Sequence, residues 1–189
     1  MPNWAYSSYV IKGDSTEINS LYSTMRKLDR EGRKDNSDFG ETWLGNLIEA
    51  LGEDWKKVYC RGSFYDLTLM SDTELKYSTE SAWDRPHEVD DVLKRHFPSI
   101  EIFYIVEESG MELYYTNDAS GAYFTAGHIV ETEDEGTEEF VEYEDAKDRV
   151  EEIIGRELSA DDDLNDTLQE WAADNKTYAS YYKFKIIDD

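Results

Sequence analysis

Residues 131–170 carry 18 acidic and 3 basic side chains, a net of −15 in forty residues. Ionised carboxylates are costly to bury without partners. Every element built from this block therefore has at most one apolar face and must hold its acids at a surface. The flanks differ: residues 1–130 carry 23 acidic and 13 basic side chains, a net of −10, and residues 171–189 carry three of each. The acidity is a block between two segments with the patterning of folded structure.

The block itself has that patterning. In "EEFVEY", Val141 and Tyr143 alternate with Glu142 and Glu144, as in a strand with one wet face. From Ala146 the period lengthens: Ala146, Val150, Ile153 and Ile154 fall on one helical stripe. A second helix is expected from Ser159, where Ser159 and Asp162 have capping-box spacing, with Asp161, Asp162 and Asp163 in its first turn and Leu164, Leu168, Trp171 and Ala172 inward. "TYASYYKFKII" then reads as a closing strand. A disordered acidic tail needs no such stripes.

Upstream, residues 4–12 read as a strand ended by Gly13, and Asp14 with Glu17 starts a helix that presents Ile18, Leu21, Tyr22, Met25 and Leu28. A polar loop follows, then a short helix with Trp43, Leu44, Leu47, Ile48 and Leu51 inward and Gly52 as its stop. Residues 58–70 and 74–83 read as strands about the turn "SDT". Residues 87–97 read as a helix presenting Val89, Val92, Leu93 and Phe97, and two more strands flank Ser109–Gly110. Without the short helix and the last strand the order is βαββαβ. That predicts an α+β, ferredoxin-like (split βαβ) antiparallel sheet with helices on one face. The expected organisation is a ferredoxin-like domain over 1–127, with a helical insertion near 42–52, and an acidic strand-helix-helix-strand extension over 128–189 packed on it.

Aromatic residues make up 14% of the 189 residues, ample material for a core. No apolar run approaches the roughly 20 residues that span a bilayer, and "MPNWAYSSYVIKG" lacks the basic and apolar regions of a signal peptide. The one cysteine, Cys60, allows no internal disulfide, which suits a reducing cytoplasm. Cys60 falls within an expected strand and reads as a small buried hydrophobe. His87, His96 and His128 lack metal-ligand spacing, and neither phosphate-loop, dinucleotide nor nucleophile-elbow glycine motifs occur. Glu131, Glu133, Glu135, Gly136 and Glu142 match calcium-loop positions, but Glu stands where Asp is wanted and no incoming helix precedes them. Pairs such as Asp90/Asp91 and Glu107/Glu108 are uninformative among 44 acids. No enzyme activity, cofactor or metal is expected.

A net charge of −25 opposes direct nucleic-acid binding and attachment to anionic membranes. Strand aromatics Tyr59, Tyr65, Tyr77, Phe103 and Tyr114 lack the flanking basic run of an RNA-recognition module. The converse role fits: a folded array of carboxylates resembles a phosphate backbone and can fill a basic groove. The candidate partner-binding residues are Glu131, Glu133, Asp134, Glu135, Glu138, Glu139, Glu142, Glu144, Asp145, Asp148, Glu151 and Glu152. The alternative is that acidity serves only solubility, while a sheet or aromatic surface binds a protein partner.

"MPNWAYSSYVIKG", "WLGNLIEALGEDWKKVYCRGSF", "LKYSTESAWDRP" and "FPSIEIFYIVEESGMELYYTND" resemble the YubB-type ferredoxin-like family of phage, plasmid and conjugative-element proteins. The resemblance covers residues 1–124, implies the ferredoxin-like fold and a bacterial cytoplasm, and carries over no catalytic residues. The family has no established activity, and the acidic segment 131–170 lies outside the resemblance. The association of mobile elements with genes that blunt host defence points to an inhibitor of the anti-restriction or anti-CRISPR type.

Overall fold

The structure, a computed structural model, describes residues 2–31 and 39–188. The chain forms a mixed α+β fold and divides into two compact units, Met1–Leu113 and Tyr114–Asp189. The division falls ahead of the 127/128 boundary expected from sequence.

In the first unit, β1 (Trp4–Lys12) is followed by α1 (Ser15–Glu31) and α2 (Leu44–Ala50), then β2 (Gly62–Ser71), β3 (Glu74–Ala82), α3 (His87–His96) and β4 (Glu101–Glu108). The strands lie in the order β2-β3-β1-β4, with all three pairings antiparallel. Alternation puts Ala5, Tyr9 and Ile11 of β1 on one face with Leu75 and Tyr77 of β3 and Ile102, Tyr104 and Val106 of β4; all are buried. The helical stripes supply Ile18, Leu21 and Met25 from α1, Leu44, Leu47 and Ile48 from α2, and Val89, Val92 and Leu93 from α3. The opposite face of β1 leaves Trp4 and Tyr6 exposed.

Four local expectations are corrected here. Glu17 does not close a capping box: its carboxylate accepts hydrogen bonds from the Ser99 amide at 2.9 Å and hydroxyl at 2.7 Å, tying α1 to the chain ahead of β4. Residues 58–61 are not strand, because a 3-10 turn, Trp55–Lys57, runs into an extended loop and β2 begins only at Gly62. Gly62 is needed there, since a Cβ would press on the Glu80 carbonyl at 2.5 Å. Cys60 and Tyr59 therefore lie in that loop; Cys60 is buried and Tyr59 exposed. Of the other strand aromatics, Tyr77 and Tyr114 lie in the core.

The second unit takes in all but the first residue of β5 (Leu113–Thr116), followed by β6 (His128–Thr132), β7 (Gly136–Phe140), α4 (Tyr143–Ile154), α5 (Leu164–Asn175), β8 (Ala179–Lys183) and β9 (Lys185–Ile186). Strands β7-β6-β8 form an antiparallel sheet, and β9 pairs in parallel with β5. The expected strand-helix-helix-strand is thus incomplete: a hairpin, β6–β7, replaces its single first strand. That strand does not run through "EEFVEY" but ends at Phe140; Val141 is 63% exposed and Tyr143 opens α4. The α4 stripe stands as expected, with Ala146 and Val150 buried and Ile153 and Ile154 against the same cluster as Val130, Leu164, Leu168 and Ala172. α5 starts at Leu164, not Ser159. Asp163 caps it, its carboxylate accepting the Asp166 amide at 3.0 Å, while Ser159 and Asp162 form a separate turn in which Asp162 accepts the Ser159 amide. The closing segment is broken at Phe184, whose amide donates to the Gly127 carbonyl, so its two halves join different sheets.

Candidate functional site

The twelve acids sort by what their carboxylates already hold. Arg149 projects from α4 and is 16% exposed; it pairs with Glu135 and Glu138 of the hairpin and, at 2.8 Å, with Glu152 of its own helix. Glu138 lies opposite Val130 in the register, on the sheet face packed under α4, which is why one guanidinium reaches both elements. On the other side of α4, Lys147 pairs with Glu151 at 3.5 Å. Glu151 also accepts the Leu158 amide at 2.7 Å, which, followed by Lys147, holds its carboxyl below the usual range. Glu133 accepts from the Thr177 hydroxyl and Glu131 from the Tyr178 hydroxyl, both at 3.1 Å.

Asp134, Glu139, Glu142, Glu144, Asp145 and Asp148 make no side-chain hydrogen bond or ion pair among the described residues, and all are exposed. Asp134 sits at the hairpin tip, where Gly136 turns the chain with φ 78°. Glu139 faces away from α4, because it alternates with Glu138 along β7. Glu144, Asp145 and Asp148 share the outer surface of α4, opposite buried Ala146 and Val150, with Glu151 and Glu152 beside them. Glu144 and Asp145 occupy the first turn, where the helix dipole favours anions.

The structure therefore brings Glu144, Asp145, Asp148, Glu151 and Glu152 together on one rigid element with Glu142 at its N-terminal cap, links Glu135 and Glu138 to them through Arg149, and leaves Glu131, Glu133, Asp134 and Glu139 apart. From Glu144 to Glu152 the helix rises about 12 Å. Five carboxylates over that rise stand about every 3 Å, close to the roughly 3.4 Å per charge along one DNA strand. Lys147 and Arg149 partly neutralise Glu151 and Glu152, and Glu144, Asp145 and Asp148 are left open. The residues missed by sequence reasoning are the organisers, Arg149, Thr177 and Tyr178. Arg149 and Lys147 are the basic residues of the stretch 131–155, a visible signal of internal neutralisation.

The calcium-loop residues lie on the β6–β7 hairpin and the start of α4. Among the described residues no group of three or more His, Cys, Asp or Glu side chains could hold a metal ion. Burial, then Glu88, pushes the Cys60 thiol up to about 11, leaving it protonated at neutral pH. No described helix is long and apolar enough to cross a membrane. No family model, curated protein or solved structure matches the chain.

Proposed function

We propose that this chain is a non-enzymatic protein of the phage or mobile-element type that inhibits a nucleic-acid-binding defence or replication enzyme. The outer face of α4 enters the enzyme's basic groove in place of a phosphate backbone, as in anti-restriction or anti-CRISPR inhibition. One observation carries the reading: Glu144, Asp145 and Asp148 are uncommitted and ordered on one helix, spaced like the charges of a single strand. The strand order β2-β3-β1-β4, antiparallel throughout, supports the ferredoxin-like split-βαβ assignment and with it the YubB-type resemblance.

The test is a panel of purified bacterial restriction and CRISPR enzymes, scored for binding to the chain and for displacement of duplex DNA. Binding should weaken steeply between about 50 and about 200 mM salt. The triple variant Glu144→Lys, Asp145→Lys, Asp148→Lys should associate at least about tenfold more slowly while keeping the far-ultraviolet dichroism of the folded chain. An unaltered association rate would overturn the proposal.

A second reading rests on exposed Trp4, Tyr6 and Tyr65: a protein-interaction module whose acidity serves solubility. It expects binding that survives salt and fails in Tyr6→Ala, Tyr65→Ala.

A further inference from the structure

The first unit contains a cleft of about 720 Å³, well within the range of roughly 300–1,000 Å³ typical of small-ligand sites. Its walls are rings. Trp43 stacks edge-on to Trp55 with centroids 5.0 Å apart, and Trp4 and Tyr59 present further ring surface, 41% and 40% exposed. The ring positions are fixed by backbone. Trp43 is held by a bridge to Ser63, Trp55 by the turn that Asp54 caps, and Tyr59 by the hydrogen bond its backbone amide donates to the Glu88 carboxylate.

The charge at this cleft runs against that of the chain. Lys56 lies over the Trp55 ring, 5.7 Å from its centroid, and is held by no carboxylate among the described residues. Arg61 has no ion pair or side-chain hydrogen bond among them. Among the described residues Glu80 is the carboxylate on the lining, where it accepts the Tyr6 hydroxyl at 3.1 Å, and Glu88 accepts the Tyr59 amide. Lys56 and Arg61 thus stand beside apolar rings with no carboxylate partner among the described residues, in a molecule of net charge −25.

We propose that this cleft binds a small planar aromatic anion of the nucleoside monophosphate type, with its ring against Trp4 and Tyr59 and its anionic group on Arg61 and Lys56. Stacking on aromatic faces tolerates any base, and guanidinium and ammonium groups together suit a phosphate. A quaternary ammonium would meet two like charges here. A long nucleic acid carries many charges against a chain of net charge −25, whereas a mononucleotide brings one phosphate to the cleft.

Tryptophan fluorescence of the full chain, titrated with adenosine monophosphate, adenosine, inorganic phosphate, choline and a short single-stranded oligonucleotide, tests this. Adenosine monophosphate should quench saturably, adenosine should bind at least about tenfold more weakly, and phosphate and choline should not quench. Lys56→Gln, Arg61→Gln should lose that tenfold for the monophosphate and leave adenosine binding unchanged. Both side chains are exposed, so melting should hold. Tyr59→Ala should weaken both ligands. Absence of saturable quenching, tighter binding of choline or of the oligonucleotide, or indifference to the double substitution would each overturn the site. None of these outcomes bears on α4.

Discussion

Asp90 shows how much a single side chain can carry unseen. It is buried, and Arg85 donates to its carboxylate at 2.5 Å while stacking 4.0 Å above the Tyr104 ring. Removing one partner of a buried ion pair strands the other. Asp90→Ala should therefore cost about 3–5 kcal/mol in urea unfolding, and an added Arg85→Met should recover part of it. Sequence offers no warning, because Asp90 and exposed Asp91 look alike and Arg85 lies outside the helix. His128 is a second case. Burial, then Lys183, holds its pKa below the ordinary value against the pull of Glu142, and its ring bonds the Tyr181 hydroxyl at 2.6 Å. The unfolded chain takes up this proton near pH 6.5 while the folded chain resists. Its stabilising contribution is complete above that pH and drains as pH falls through the depressed folded value. Melting temperatures from pH 7.5 down to pH 5 should fall less steeply in His128→Asn than in the parent once the difference curve is taken.

Among the elements, legibility follows burial periodicity. The stripes of α1 and α4 are readable because their apolar positions recur every three or four residues and those residues are buried. Strand β7 is not, since its exposed polar residues alternate without apolar contrast and its one large apolar residue, Phe140, is its last. The α5 start is misread because Ser159–Asp162 is a genuine turn of its own. Replacing the true cap, Asp163→Ala, should cost about 1 kcal/mol in thermal unfolding, and Ser159→Ala much less. In α2, Trp43 folds back over Gly45 so closely that a Cβ there would meet the ring. Gly45→Ala should move Trp43 and change the near-ultraviolet dichroism without unfolding the helix. Arg149 spans β7 and α4, so Arg149→Ala should raise hydrogen exchange in the hairpin ahead of the α4 core.

Over the whole molecule, like charges outnumber their partners by far. Raising ionic strength from about 0.01 M to about 1 M shrinks the Debye length from about 30 Å to about 3 Å. The melting temperature should rise over that range, where a charge-balanced protein would change little. The three reversals on α4 each add two positive charges and take the net from −25 to −19. At low salt the relief of repulsion offsets the loss of two anions from the first turn of α4, so the variant should stay folded and its loss of binding would not be loss of structure. The α+β class and the order of elements in the first unit were legible because turns and periods are local. The pairing of β9 with β5 was not, because parallel partners distant in sequence leave no local trace.

The split at Phe184 bears on how the chain is made. Translation delivers β6 well before β8, the strand that closes its second edge, and β5 well before β9, its parallel partner. Ile129 and Val130 emerge with one hydrogen-bonding edge open, and a ribosome stalled before position 179 would hold a sheet that is sticky along one side.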